Sequence, residues 1–337
     1  MAETAYYTAE VVVTNLDIVA PSNSANGRML DCKSFTLTEG HALDLSKESA
    51  RFKVSVEQQD WILAKRYPGS ESYAIGPDDH SGVQAISRDI EEMLFLLRLF
   101  DTGEVAFSSV VITKPDGTSL LQLPHRIVNG SALFRDPLTQ LTDEELNEFD
   151  AFSNHMKASR SWNSDWYQTA KRFFLYGTSK DFDPQRLEVD RVVDYATVLE
   201  AILVPESDLL GKRVRERCAA LLTSYNPDDI KALLKEFYDI RSKIVHGEPL
   251  SKDLLKWLST HHENIEAVVR SVLIEAVEVL PADRQQWKAA VKKLFEPTDK
   301  DREQSILQDL MRLSDLKVLV FLATKIVKRA QTLVTHQ

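Results

Sequence analysis

Apolar and polar residues alternate along several short segments in roughly the first 125 residues, a period of two that is typical of half-buried β-strands. The alternation is regular in residues 52–56 (FKVSV), and residues 11–13 are three consecutive valines. Two further strand-like segments, 105–113 and 119–123, are separated by Lys-Pro-Asp-Gly at 114–117, where Pro presets φ and Gly accepts a positive φ. These segments predict a β-rich N-terminal region that contains a hairpin.

One segment of this region has the spacing of an amphipathic helix instead, because apolar residues recur at helical intervals through residues 90–100. From about residue 140 onward almost the whole chain follows this helical pattern. Thr142 and Glu145 match a capping box, and Asn226-Pro227 and Gly247 mark the start and the end of a later helix. We expect helices over residues 188–204, 209–223, 226–246, 251–280, 287–295 and 305–333.

Together with the length of 337 residues, these patterns predict two compact units and an α+β fold class. Residues 1–138 are predicted to form a β-rich N-terminal domain. Residues 139–337 are predicted to form an all-α helical bundle. The sequence contains no internal repeat, so a solenoid is not expected.

The composition is that of a globular protein, with 43 % hydrophobic and 27 % charged residues, and it excludes wholesale disorder. The net charge of −10 is unevenly distributed. Residues 1–150 hold 12 Lys and Arg against 24 Asp and Glu, whereas residues 151–337 hold 29 against 27. Charge alone therefore disfavours a generic DNA-binding protein, although the C-terminal part permits a basic patch.

The sequence predicts neither a membrane protein nor a secreted one. The longest uncharged apolar run near the C-terminus, residues 318–323, is far shorter than the roughly 20 residues that a membrane helix needs. The N-terminus lacks a basic region followed by an apolar stretch. Cys32 and Cys218 are too isolated to predict a disulfide framework or a paired-cysteine metal site. We expect a cytoplasmic protein without a membrane partner.

The segment from Tyr238 to Gly247 (YDIRSKIVHG) carries the most informative chemistry. His246 falls in the last turn of a predicted helix, where the helix dipole favours a protonated imidazole by about 0.3–1 kcal/mol. Arg241 carries a permanent charge on a fork that matches phosphate oxygens. Five residues correspond to about 140° of rotation on an ideal helix, so the two side chains do not share one face. The alternative is a helix end at which Lys, Arg and His only complement the dipole.

This segment resembles the signature of the HEPN superfamily, in which an Arg is followed by four to six residues, the first usually polar, and then a His. Together with residues 195–203 and 213–222, it is similar to the Apea-like HEPN branch in particular. The resemblance covers roughly residues 145–280.

The resemblance implies a bundle of about four helices that dimerises and brings two Arg/His pairs into one cleft. Many HEPN proteins are metal-independent endoribonucleases of toxin–antitoxin and phage-defence systems, and others are non-catalytic. Arg241 and His246 fall on the catalytic positions, and Ser242 falls on the polar position after the Arg. Glu200 matches an acidic residue of the first bundle helix, where it either orients the Arg or His or is a solvated charge. No cofactor is implied.

Three other groups of residues carry alternative interpretations. A basic cluster is predicted either to hold an RNA backbone or to be a solvated face. An aromatic cluster either stacks bases or packs in the core. His262 and Glu266 have the helical spacing of metal ligands but lack an evident third ligand, so no metal is expected. The basic cluster contains Lys212, Arg213, Arg215, Arg217 and, on the next helix, Lys243; the aromatic cluster contains Trp162, Trp166, Tyr167, Phe173 and Phe174.

The sequence therefore predicts a dimeric, metal-independent endoribonuclease in which His246 moves protons and Arg241 neutralises charge on the phosphate during attack by the 2′-OH. The expected partners are RNA, a second copy of the chain, and an antitoxin or a phage-derived trigger. One alternative is a non-catalytic HEPN module that binds RNA or a protein. Another is a regulatory protein whose N-terminal domain senses a ligand and gates the helical domain.

Overall fold

Eight helices lie in the part of the chain that the structure, a computed structural model, describes. This part comprises residues 6–14, 16–19, 28–30, 35–39, 61–68, 80–100, 105–113, 119–122, 139–179 and 187–300. The helices are α1 (His80–Phe100), α2 (Asp143–Ala158), α3 (Asp165–Ser179), α4 (Leu187–Leu203), α5 (Leu210–Leu221), α6 (Pro227–Val245), α7 (Lys252–Val279) and α8 (Arg284–Leu294). The predicted strand at 52–56 and the predicted helix at 305–333 lie outside the described residues.

Strands occur in the N-terminal part of the chain. They are β1 (Tyr6–Thr14), β2 (Leu16–Val19), β3 (Arg28–Leu30), β4 (Phe35–Glu39), β5 (Trp61–Pro68), β6 (Ala106–Thr113), β7 (Ser119–Gln122) and β8 (Thr139–Thr142). Six of them form an antiparallel sheet in the order β3-β4-β5-β1-β6-β7, and β2 pairs in parallel with β8. The valine run lies in β1, and β6 and β7 pair as the two strands of the predicted hairpin.

The predicted fold class, α+β with a β-rich N-terminal domain followed by a helical bundle, is wrong. Between positions 88 and 300, the residues whose side chains the structure describes are 79 % helical. The helix α1 belongs to the same apolar core as α2 and α3, because the ring of Phe95 packs against Trp162 at 5.8 Å and Phe174 at 5.7 Å. An amphipathic helix must bury its apolar face, and side chains of α1 belong to the same apolar core as those of the C-terminal helices, so α1 is not part of a separate β-rich unit. The boundary at 138/139 stays a prediction.

Arg98 ties the C-terminal end of α1 to its surroundings. Its Nε donates to the carbonyl of Val105 at 2.8 Å, and its Nη1 donates to Thr178 Oγ1 on α3 at 3.0 Å. A buried guanidinium needs such partners, since an unpaired buried charge is costly. These contacts fix α1 against α3.

Local capping residues set the ends of the helices. Thr142 and Glu145 form the predicted capping box, in which the Thr142 N–H donates to Glu145 Oε2 at 2.7 Å and the Glu145 N–H donates to Thr142 Oγ1 at 3.2 Å. Asn226 caps α6 by accepting the Asp228 N–H at 3.0 Å, and Pro227 is the first helical residue. Both predicted helix starts are confirmed.

The helix α4 lies at the centre of the bundle and packs against α3, α5, α6 and α7. Its residues Val198, Leu199 and Ile202 are fully buried. No helix among the described residues combines the length and the apolar character needed to cross a membrane.

Candidate active site

An ion pair between neighbouring helices fixes the arginine of the predicted site. Arg241, in the C-terminal half of α6, places Nη2 3.2 Å from Oε1 and 3.4 Å from Oε2 of Glu200 on α4. The two side chains are 24 % and 19 % exposed, so the pair lies at the edge of the core and still reaches solvent. From the sequence, Glu200 was expected either to orient the arginine or the histidine or to be a solvated charge. In the structure its carboxylate contacts Arg241.

Tyr238 lies one turn before Arg241 on the same side of α6, since residues three apart are neighbours on a helix. Its side chain is buried, and its hydroxyl donates to the carbonyl of Ala196 on α4 at 3.4 Å. Burial, followed by the negative charge of Glu200, raises the pKa of Tyr238. Tyr238 therefore stays neutral next to the Glu200–Arg241 pair. The sequence analysis assigned no role to Tyr238; its position three residues before Arg241 is the feature that could have indicated one.

Glycine 211 on α5 allows the close approach that buries Tyr238. A Cβ at this position would lie 3.1 Å from the Tyr238 ring, closer than almost all Cβ contacts. A larger residue would push on the ring and through it on the Arg241 turn. The contact between α5 and α6 thus supports the turn that carries Arg241.

The carboxylate of Glu200 is poised between two opposing effects. Burial raises its pKa, whereas the charge of Arg241 and the nearby Tyr238 hydroxyl lower it, and the balance leaves the pKa above its usual value. Glu200 Oε1 and Arg241 Nε are buried atoms that make no hydrogen bond of good geometry within the described residues, although Oε1 lies 3.2 Å from the Arg241 Nη2 charge. The ion pair therefore leaves part of the hydrogen-bonding capacity of both groups unused.

His246 is the C-cap of α6, and its side chain is exposed. Its backbone N–H donates to the carbonyl of Ser242 at 3.1 Å. Gly247 follows with φ +71°, and its N–H donates to Ile244 O at 3.0 Å while the Glu248 N–H donates to the Lys243 carbonyl at 2.8 Å. This is a Schellman motif, and it confirms the predicted helix stop at Gly247.

The structure does not join all the predicted site residues directly. The guanidinium of Arg241 points to Glu200 on α4, whereas the imidazole of His246 projects from the end of α6. Ser242 is partly buried between them. Lys243 forms an exposed pair with Glu248, with 3.4 Å between Nζ and Oε2. The arrangement presents an exposed imidazole at the helix end, five residues after a guanidinium that Glu200 anchors.

Two of the predicted RNA-contacting residues, Arg213 and Arg217, are buried and paired, which corrects their assignment. Arg217 is fully buried and donates to the carbonyls of Leu203 at 2.7 Å and Phe295 at 3.0 Å, the ends of α4 and α8. It also forms a fork with Glu206, at 2.7 Å and 3.2 Å. These contacts satisfy carbonyls that helix ends leave without partners.

Arg213 is 2 % exposed, and its Nη2 lies 3.1 Å from Asp208 Oδ1. Oε1 of Glu296, two residues after the end of α8, lies 3.5 Å from Nη1 of Arg213. Neither Arg213 nor Arg217 can reach a phosphate backbone from these positions. The other two basic residues of α5, Lys212 and Arg215, are partly exposed.

The aromatic cluster is part of the core, which confirms that interpretation over base stacking. Trp162, Tyr167 and Phe174 are at most 2 % exposed, and Trp166 stacks on Trp287 with 5.9 Å between ring centroids. Phe173 is only partly buried.

His262 and Glu266, which have the sequence spacing of metal ligands, have other partners in the structure. Glu266 Oε1 binds Arg270 at 2.6 Å, and Glu266 Oε2 accepts the Tyr195 hydroxyl at 2.6 Å. His262 Nδ1 lies 2.8 Å from the carbonyl of Ser259. The residues that the structure describes contain no cluster of three His, Cys, Asp or Glu side chains that could hold a metal ion.

Comparison with known proteins gives no match to a family model, to a curated protein or to a solved structure. The HEPN resemblance thus rests on the residues quoted from the sequence and stays a prediction.

Proposed function

We propose that this chain is a metal-independent endoribonuclease of the HEPN type. The observation that supports the proposal is the C-terminal turn of α6, where Glu200 holds the Arg241 guanidinium by an ion pair of 3.2 Å and His246 is exposed at the C-cap. A fixed cation and an accessible imidazole near the end of one helix supply the charge neutralisation and the proton transfer that cleavage of an RNA phosphodiester uses.

In the proposed reaction, His246 takes the proton of the 2′-OH. The 2′-oxygen then forms a bond to phosphorus and the bond from phosphorus to the 5′-oxygen breaks. The leaving 5′-oxygen takes its proton from the protonated His246 imidazole of the second copy in the proposed dimer. Arg241 neutralises the charge that develops on the phosphate oxygens, and Glu200 keeps its guanidinium in place. Because the nucleophile is held beside the phosphorus by the substrate itself, proximity supplies much of the rate.

The proposal includes a dimer. One imidazole and one guanidinium per chain supply few groups for two proton transfers, and a twofold axis near the end of α6 would bring two sets together. Lys212, Arg215 and Lys243, which are partly exposed, are the remaining candidates for contacts with the RNA backbone. We further propose a cytoplasmic protein of a toxin–antitoxin or phage-defence system, controlled by an antitoxin or a phage-derived trigger.

The test is cleavage of total RNA in EDTA by the wild type and by Arg241→Ala and His246→Ala. We expect both variants to lose cleavage at least about 100-fold, the scale of one acid–base or charge-stabilising group. Arg160→Ala and His155→Ala are matched controls, because both residues are exposed on or next to α2, and they should cleave like the wild type. Unchanged cleavage by both site variants would contradict the proposal and would mean that Arg241 and His246 only complement the helix dipole.

A non-catalytic module is the second candidate function. It is favoured by one observation, the direction of the Arg241 side chain, whose charge is already satisfied by Glu200 rather than directed toward His246. Such a module would bind RNA or a protein through the same surface. RNA binding without cleavage, in the presence or absence of a cell extract that supplies a trigger, would support it.

A further inference from the structure

A cavity of about 550 Å³ lies between α1 and α3, away from the α6 site. This volume is in the range of sites for small molecules. Part of its wall is apolar, formed by side chains that include Leu94, Phe95 and Leu175. Basic and acidic residues line it in equal number, three of each: Arg88, Lys171 and Arg172 against Glu91, Glu92 and Asp165. The cavity therefore has no excess charge that would select an anion or a cation.

Lys171 is the unusual member of this lining, because its side chain is only 6 % exposed. Its Nζ lies 3.9 Å from the centroid of the Trp162 ring and 3.4 Å from Glu92 Oε1. The same carboxylate accepts the Trp162 indole N–H at 3.0 Å, and its other oxygen lies 3.7 Å from Lys157 on α2. The amine is thus held in a fixed position in the wall of the cavity, with one carboxylate shared between two lysines.

The environment also makes this amine easier to deprotonate. Burial lowers the pKa of Lys171 to about 8, with Lys157 acting in the same direction and Glu92 opposing both. At pH 7 an amine with a pKa of about 8 is free in about one copy in ten, against about one in 2,500 for a lysine near 10.4. Buried lysines of this kind are the ones that proteins use as nucleophiles.

We propose that the cavity between α1 and α3 binds a small neutral carbonyl compound, with Lys171 as the amine that forms an imine with it. The Nζ lone pair attacks the carbonyl carbon, a carbon–nitrogen bond forms, and the carbonyl oxygen leaves as water. The sum is one ammonium and one carbonyl giving one protonated imine and one water, so the positive charge is conserved. Glu92 and the face of Trp162, which stabilise the ammonium, are placed to stabilise the iminium as well.

The experiment uses the full chain with propanal as the probe and sodium cyanoborohydride to reduce any imine to a stable secondary amine. Peptide mass spectrometry then gives the rate of modification at each lysine at pH 7. Lys235, whose side chain is 60 % exposed on α6, is the internal reference. We expect modification of Lys171 to be about tenfold faster, since a larger free-amine fraction outweighs the lower nucleophilicity that accompanies a lower pKa.

Saturation separates a binding site from mere reactivity. The modification rate at Lys171 should level off as the propanal concentration increases. An excess of 1-propanol, which would compete for the same cavity but forms no imine, should slow this modification. The modification rate at Lys235 should rise linearly with the propanal concentration and should not change when 1-propanol is added. A linear response at Lys171, or modification no faster than at Lys235, overturns the proposal. Because the wild type carries both sites, the result does not depend on how a Lys171 variant folds, and it is independent of any ribonuclease activity.

Discussion

Replacing Arg217 by Met tests whether this residue is a buried structural cation or part of an RNA-binding face. The change keeps a long, unbranched side chain but removes every donor. In the folded protein it leaves the carbonyls of Leu203 and Phe295 without the guanidinium and leaves Glu206, which is 16 % exposed, without its fork. Breaking one side of a buried ion pair costs about 3–5 kcal/mol, a large part of the 5–15 kcal/mol by which a domain is typically stable.

The assay is equilibrium unfolding in urea, with Arg215→Met as the matched control. Arg215 lies two residues away on α5 and is partly exposed, so its replacement should change the free energy of unfolding by less than about 0.5 kcal/mol. In the single variant the only cation left near Glu206 among the described ion pairs is Arg213, 3.7 Å away. Removing both charges in Arg217→Met/Glu206→Met should recover part of the lost stability, because this poorly paired carboxylate is removed too. Arg213 keeps Asp208 and Glu296 as partners.

Equal losses for Arg217→Met and Arg215→Met would refute this reasoning. So would an Arg217→Met variant with wild-type stability and weakened RNA binding, since that combination would place Arg217 on the surface. If Arg217→Met does not fold, folding of the double variant is the result that still supports the buried pair.

Two further predictions concern stability. Burial raises the pKa of Glu266, but Arg270 and Tyr195 more than offset this and hold it below its usual value, so the folded state binds this proton less tightly than the unfolded state. The stabilisation is complete above the unfolded pKa of about 4.3 and is lost as pH falls through the folded pKa; urea unfolding of Glu266→Gln should lack this acid-side loss, and an identical pH profile would contradict it. Gly247→Ala, at φ +71°, should cost about 1–2 kcal/mol in the same assay, and Gly247→Asn less. Equal stability of all three proteins would argue against the left-handed C-cap.

Features that depend on a few neighbouring residues could be predicted from the sequence. The capping box of Thr142 and Glu145, the start of α6 at Pro227 and its stop at Gly247 were predicted because each is decided by contacts within six residues. The aromatic cluster was ambiguous, and its place in the core depends on α1, which lies more than 60 residues earlier in the chain.

The misassigned arginines show why the rest could not be predicted. Lys212, Arg213, Arg215 and Arg217 form one basic run in the sequence, yet α5 turns two of them inward. Their burial is stabilised by Glu206 in the preceding loop and by the ends of α4 and α8, and no local pattern reports such distant carbonyls. The separate β-rich domain was wrong for a related reason, because strand patterns do not reveal that α1 packs in the helical core.

We propose that Arg241 and His246 cleave RNA by means of its own 2′-OH. The most direct measurement compares two oligonucleotides in EDTA, one of RNA and one with a single 2′-deoxy nucleotide immediately 5′ of the mapped cleavage point. We expect the all-RNA strand to give 2′,3′-cyclic phosphate and 5′-hydroxyl ends, and we expect no cut at that position in the deoxy strand. Equal cleavage of both strands, or cleavage that requires added Mg²⁺, would contradict it.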